Sequence, residues 1–400
     1  MVRAALSSMA SGSVENVLVY VSDSLRFDAL PASVAEVGVT GRGIATSTFT
    51  ASGFPSILTG TYPATHTVWS FEDALARRPA LLAAFEQSGI DATHVWSNVD
   101  DPATKPPLRI CGESAETTLS DLDPPFSLVV HDRGGHMLYG RRERADEWAT
   151  HGEFFDEFGG DRAAIRELYG EGVAESVERF LDIRAALDSR GLLESTLVVF
   201  TSDHGELLGE YGGLYGHGTP LVPELVTVPV VFTGAGLPEG VRLNGCLSTA
   251  DITPTALGAA GVGHGRTEGL DLWDQAPPPG RLARAELWKE TTYDGVEYKA
   301  TSVWTDTGGY VRHLNPLHGR LAHLLGTKFY LADYANIVRR PSRGYLPLAG
   351  SFLRTERTYG EAPDRERIEE ALVTTFVEND GATTAPATDR EHLRQLGYLE

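Results

Sequence analysis

Six side chains sit where residue type and spacing could do chemistry: Asp23, Thr50, Asp132, His136, Asp203 and His204. Carboxylates and imidazoles without thiolates suit hard or borderline divalent cations, so the expected cofactor is one or two ions of Zn, Mn, Mg or Ca. Cys111 and Cys246 are the only cysteines; they lack metal-binding spacing and are too few for a disulfide scaffold. Asp203 and His204 directly follow an apolar run, and consecutive residues at the end of a buried strand can both reach one ion. A strand-end Asp by itself is as readily a helix cap, and a lone His more often completes a hydrogen bond. Three strand ends that all carry acids or imidazoles raise the pattern above either alternative. The segment from Thr46 to Gly60, dense in hydroxyls before an apolar stretch, predicts a turn, a short helix and a glycine stop. A hydroxyl at such a helix start is placed to attack an anion, because backbone N–H groups and the helix dipole favour negative charge there; a plain helix cap is the alternative.

Buried strands must carry these groups. Continuous apolar runs at Asn16–Ser22, Phe126–Val130 and Ser195–Thr201 read as strands covered on both faces of a parallel sheet, each delivering its acid or imidazole at the C-terminal end. Open α/β sheets place their sites at that edge. Helical spacing over Arg78–Ser88 and Arg162–Arg190 alternates with the strands and predicts an α/β fold. The Pro-rich stretch Gln275–Gly280 marks a boundary, dividing the chain into a catalytic domain at 14–275 and a smaller C-terminal α+β subdomain at 281–400. Alternating segments at Tyr298–Trp304 and Gly309–His313 predict a small antiparallel sheet in the latter. Asp364–Phe376 reads as an amphipathic helix, Gly381–Asp389 as a polar linker and Arg390–Leu399 as a terminal helix.

With 400 residues the chain is long enough for a large core and more than one domain. A formal charge of −21 repels nucleic-acid phosphates and anionic lipid, so no nucleic-acid partner is expected. No apolar stretch approaches a bilayer span, and Met1–Glu15 lacks the apolar core of a secretory signal; the expected location is cytoplasmic, without membrane insertion. Lys occurs only at 105, 289, 299 and 328, so nearly all basic residues are Arg. An acidic, lysine-poor composition resembles proteins of extreme halophiles; a GC-rich genome produces a similar bias. Lys289 and Lys299, in the strands of the second domain, read as surface residues.

Several motifs in order carry a wider resemblance: Tyr20-Val-Ser-Asp-Ser-Leu-Arg26, Phe54-Pro-Ser-Ile-Leu-Thr-Gly60, Phe200-Thr-Ser-Asp-His-Gly-Glu206, Tyr215-Gly-His-Gly218, Val228-Pro-Val-Val231, Ala250-Asp-Ile-Thr-Pro-Thr255 and the terminal Leu393-Arg-Gln-Leu-Gly-Tyr-Leu399. Together they resemble the sulfatases of the alkaline phosphatase superfamily, closely over about residues 14–270 and loosely beyond. The resemblance implies an alkaline phosphatase-like fold with a mostly parallel central sheet flanked by helices. It also implies a hydrolase of sulfate or phosphate esters acting on a small molecule or glycan. Asp23, Asp203 and His204 then correspond to metal ligands and Thr50 to the nucleophile. Thr50-Ala-Ser-Gly-Phe54 departs from the Cys/Ser motif that yields formylglycine, so Thr50 is similar instead to the phosphodiesterase and phosphatase branches, which attack through a metal-bound threonine; Ser52 is the fallback in a shifted register. Ser24 stands where calcium-dependent sulfatases carry a second acid. Asp132-x-x-x-His136 is similar to a second-metal motif, whereas a His there contacts substrate in sulfatases; both readings stay open. His217 would complete a second metal site or, like His136, donate a proton to the leaving group, and Arg133 and Arg26 are candidate substrate contacts. The other readings are a phospho-alcohol transferase acting on a glycan or lipid, and a non-catalytic anion-binding relative.

Overall fold

The structure is a computed structural model that describes residues 1–97, 106–112, 117–145, 147–148, 150–159, 161–263, 265–290, 296–326 and 345–379. The linker and terminal helix read from 381–399 lie outside the described residues. In chain order the strands of the main sheet and its hairpin are Asn16–Ser22 (β1), Val39–Ile44 (β2), Asp91–Ser97 (β3), Phe126–Asp132 (β4), Thr196–Thr201 (β5), Leu207–Glu210 (β6), Leu214–Gly216 (β7), Thr227–Gly234 (β8), Val241–Arg242 (β9) and Leu247–Ser248 (β10). The main sheet runs β10-β2-β8-β5-β1-β4-β3, with β9 beside β2. All its pairings are parallel except those of β8, which is antiparallel to β2 and β5. The sheet is therefore mostly parallel, as the sequence implies.

All seven residues of β1 are buried, and their alternation builds a core on each face. Val17, Val19 and Val21 pack with Phe54, Ile57 and Leu58 of the helix Thr50–Thr59. Leu18 and Tyr20 pack with Ile165, Leu168, Val173 and Phe180 of the helix Arg162–Ser189. Each such buried side chain stabilises the fold by roughly 1.5–3 kcal/mol. The long helix starts where Asp161 accepts hydrogen bonds from the N–H groups of Ala163 and Ala164, both 3.0 Å.

Four antiparallel strands follow: Ala283–Glu290 (β11), Glu297–Trp304 (β12), Gly308–His313 (β13) and Glu356–Gly360 (β14). This small sheet sinks Ala285, Leu287, Tyr298 and Ala300 into the same core that holds Val17 and Phe54. The helix expected over Asp364–Phe376 spans Arg365–Ala371. Its apolar end leaves the helical path to cover Trp69: Phe376 stacks on that indole at 4.7 Å, and the Val377 carbonyl accepts its N–H at 2.9 Å.

Candidate active site

The register of three neighbouring strands decides which side chains meet. Ser22 lies beside Asp132 and Val21 beside Thr201, so the residues after β1, β4 and β5 emerge at one edge. The Asp23 N–H donates to the Asp132 carbonyl and the Gly135 N–H to the Asp23 carbonyl, both 2.9 Å. Gly134 has φ +54°, and a Cβ there would lie 2.3 Å from the Asp23 carbonyl oxygen. Only glycine permits that approach.

Thr50 is the first residue of its helix; Phe49 stands before it as the cap and no side chain caps that end. The Thr50 hydroxyl is thus not a helix cap but lies 2.9 Å from His204 Nε2. His204 Nδ1 sits 2.9 Å from the Gly205 carbonyl, which can only accept, so Nδ1 carries the proton and Nε2 takes the Thr50 O–H. The same Nε2 is 3.7 Å from Asp23 Oδ1 and 3.6 Å from Asp203 Oδ2. All four side chains are fully buried. Asp23 Oδ2 and Asp203 Oδ2 have no hydrogen-bond partner, a costly state for two buried carboxylates. Burial works against the Asp23 carboxylate, yet the His131 contact and the facing His136 and His204 hold its pKa below the ordinary range. Burial and the Asp23 charge push the Asp203 pKa up. Unpartnered acid oxygens beside the Thr50 hydroxyl and His204 fit a divalent cation, which would take the Nε2 lone pair in place of the Thr50 O–H.

His131 completes that corner, with Nε2 3.3 Å from Asp23 Oδ2. It stacks on Phe54 at 4.2 Å and Trp96 at 3.9 Å, and Asp23, His131 and Asp203 bring ligand atoms within 4.8 Å of one another. Nothing in the sequence separates this His from a structural one.

Opposite lies a second group. The His217 ring is 4.3 Å from that of His204 and 5.0 Å from that of His136. His217 Nδ1 is 2.9 Å from Glu206 Oε2, and Tyr139 donates to Glu206 Oε1 at 2.6 Å. Burial and the Asp23 charge raise the Glu206 pKa well above the carboxylate range. Burial, then His204, His136 and Lys289, lower that of His217. The short contact shows that His217 Nδ1 and Glu206 Oε2 share one proton. Lys289 is no surface residue: its ammonium lies over the Phe49 ring at 4.7 Å and 3.3 Å from where a Cβ on Gly218 would stand. Lys299 is likewise half-buried, paired with Glu297 at 3.0 Å over the Trp288 ring. Scarcity of Lys was the signal for Lys289, and the Asp-His-Gly-Glu run the signal for Glu206.

Three anticipated site residues are turned to other partners. Asp132 accepts from Gly134 N at 3.0 Å, Ser97 Oγ at 2.7 Å and Arg179 Nε at 2.8 Å. Arg26 is paired with Asp28 at 2.7 Å and Glu210 at 3.0 Å. Arg133 donates to the carbonyls of His136, Leu138 and Gly140, holding the loop that carries His136.

A family model described as Sulfatase matches residues 109–262. The low-salt glycan biosynthesis sulfotransferase Agl7 of Haloferax volcanii is 37% identical over 412 residues, covering the whole of both chains. The chain belongs to the sulfatase family. Human arylsulfatase K, a shorter likeness, is 34% identical over 98 residues, 24% of this chain and 18% of that one. Among solved structures, the phosphonate monoester hydrolase of Agrobacterium radiobacter superposes with a TM-score of 0.58 at 18% identity, covering 85% of this chain and 96% of that one. BT4656 in complex with its substrate D-glucosamine-2-N,6-O-disulfate gives 0.54 at 13% identity, covering 76% and 89%. At such identities these two show a shared fold. No helix among the described residues is long and apolar enough to cross a membrane.

Proposed function

We propose that this chain is a metal-dependent enzyme that cleaves sulfate esters of a glycan, with phosphate esters as a related substrate class and Thr50 as the nucleophile. One observation carries the reading: the Thr50 hydroxyl donates to His204 Nε2 at 2.9 Å within a buried cluster in which Asp23 Oδ2 and Asp203 Oδ2 lack hydrogen-bond partners. Asp23, Asp203 and His204 would hold the cation, with His131 alongside. When bound, it supplies positive charge that makes the threonine hydroxyl acidic and stabilises oxygens of the ester. Thr50 Oγ1 gives up its proton to solvent and attacks the sulfur, forming an O–S bond as the bond from sulfur to the sugar oxygen breaks. His217, paired with Glu206, passes a proton to the departing oxygen. Water then attacks the threonine sulfate, its two protons going to Thr50 Oγ1 and to the His217–Glu206 pair, and inorganic sulfate leaves.

Neutral His136 and His217 offer ring N–H groups, and Lys289 a positive charge, to the negative ester. A second cation beside His217 would meet the Lys289 ammonium, and the Asp132 carboxylate that would hold it is already shared by Ser97 and Arg179. His204, Glu206 and His217 nonetheless bring ligand atoms within 4.8 Å of one another, so this side suits ester oxygens or a second ion. A second reading, transfer of the sulfuryl group to a sugar hydroxyl in place of water, is favoured by the name of the full-length relative. Turnover of 4-nitrophenyl sulfate and 4-nitrophenyl phosphate, with and without added Mn or Zn and a sugar acceptor, tests both; activity that survives Thr50→Ala rules out the nucleophile. The −21 charge, the scarcity of Lys and the haloarchaeal relative support a protein adapted to high salt. An unfolding midpoint that rises with KCl is the expected result.

A further inference from the structure

We propose that Tyr298, on the small sheet, is a positioning residue that sets the chain segment Gly216–Leu221 and with it His217. This rests on the reading of His217 and Lys289 as the leaving-group side of the site. His217 lies in a stretch with little regular structure of its own: β7 ends at Gly216, and the next helix begins at Pro223. Its backbone is gripped from two directions. From the main domain, the Gly218 N–H donates to the Thr48 carbonyl at 2.7 Å, and the Thr48 hydroxyl donates back to the Gly218 carbonyl. From the other side, the Tyr298 hydroxyl of the small sheet accepts the Leu221 N–H at 3.2 Å, and His323 Nε2, at the end of the helix Leu317–His323, lies 3.3 Å from the Thr219 hydroxyl.

The Tyr298 hydroxyl is itself oriented. His313 Nδ1 is 2.7 Å from the Arg354 carbonyl, so that nitrogen holds the proton. His313 Nε2, 2.8 Å from the phenol oxygen, must then accept its O–H. The phenol lone pairs are left to receive the Leu221 N–H, and every hydrogen in the chain from Leu221 to Arg354 has one direction. Tyr298 is fully buried among His323 and Phe352, so the ring has little freedom to follow a displaced loop.

Register ties this anchor to the pocket. Tyr298 is the cross-strand partner of Lys289, and such partners lie on the same face of a sheet. One pair of opposed residues thus delivers the ammonium beside Gly218 and the hydroxyl beneath Leu221, three residues on. The small sheet in this way fixes both a charge in the site and the path of the loop bearing the proton donor.

The test compares kcat and KM on two sulfate esters that differ in leaving group, 4-nitrophenyl sulfate and glucose 6-sulfate, in the full-length protein. A good leaving group needs no proton, so loss of a well-placed donor shows on the sugar ester. His217→Gln is the reference and loses at least about 100-fold on the sugar ester relative to the nitrophenyl ester. Tyr298→Phe is expected to lose about tenfold on the sugar ester, in kcat more than KM, and less than about threefold on the nitrophenyl ester, with unchanged metal content. Ser302→Ala, which removes two other buried hydrogen bonds of the same sheet, one given to the Ala285 carbonyl and one accepted from the Trp304 indole, is expected to lower both rates alike or neither. Should Tyr298→Phe fail to fold, Thr219→Val removes the His323 contact on the same segment and carries the same expectation. Equal losses on the two esters in Tyr298→Phe or its substitute, beside an unequal loss in His217→Gln, overturn the proposal alone. Equal losses in His217→Gln as well overturn it together with the assignment of His217.

Discussion

Asp23, Asp203 and His204 hang from the ends of two adjacent central strands, whereas His136, His217 and Lys289 come from two loops and from a strand of a different sheet. The first group inherits its geometry from parallel pairing: once β1 and β5 are in register, the acids have little choice of place. The second is assembled from distant parts of the chain and needs glycine turns, carbonyl clamps and a neighbouring sheet to hold it. The two also differ in charge. One side gathers two carboxylates that each keep an unpartnered oxygen, the other gathers imidazoles and one ammonium. An ester that carries negative oxygens and must lose an alkoxide is matched by that division.

Substitutions on the two sides should therefore fail in different ways. The largest effect is expected from Thr50→Ala, a fall in kcat of at least about a thousandfold with the metal retained, read by steady-state turnover beside metal analysis. Next is Lys289→Met, for which kcat/KM on sulfate esters should drop roughly a hundredfold through loss of a charge-assisted contact, with no change in bound metal. Asp23→Asn should abolish stoichiometric binding of a divalent ion, measured by mass spectrometry of the dialysed protein. Asp132→Asn should keep that ion and instead lose about 2 kcal/mol of stability as its tie to Arg179 weakens; metal loss in Asp132→Asn would blur the division between the two sides. The smallest effect is on acid stability. Burial, with the nearby Arg320 and Arg357 charges, pushes the His313 pKa down to about 4. The unfolded chain therefore binds a proton near pH 6.5 that the folded chain refuses, and stability falls as pH drops from about 6.5 to about 4. His313→Gln should flatten that window by about 2 kcal/mol in urea titrations.

The sequence showed the strand-borne side and largely hid the other. Unbroken apolar runs ending in Asp23 and in Asp203-His204 exposed both the parallel sheet and the side chains that meet at its edge, because full burial on two faces leaves a one-dimensional trace. Thr50, singled out through the motif that follows it, does meet His204. Asp132 shows the weakness of the same logic: it also ends a central strand, but Arg179, on a helix turn 47 residues away, reaches it. Partnership between distant residues leaves no local mark, and for the same reason Lys289 read as surface. The outward bend of the tail before Phe376 was invisible because its cause is the indole of Trp69, about three hundred residues earlier.

Because Leu287, Tyr298 and Ala300 are buried in the core that also holds Val17 and Phe54, the C-terminal sheet is not an appendage that can be trimmed away. A shortened chain ending near Pro279 would present a raw greasy flank to solvent. It would also forfeit an ammonium from the reaction chamber, so an engineer seeking a minimal catalyst should shorten surface connections and leave both sheets whole.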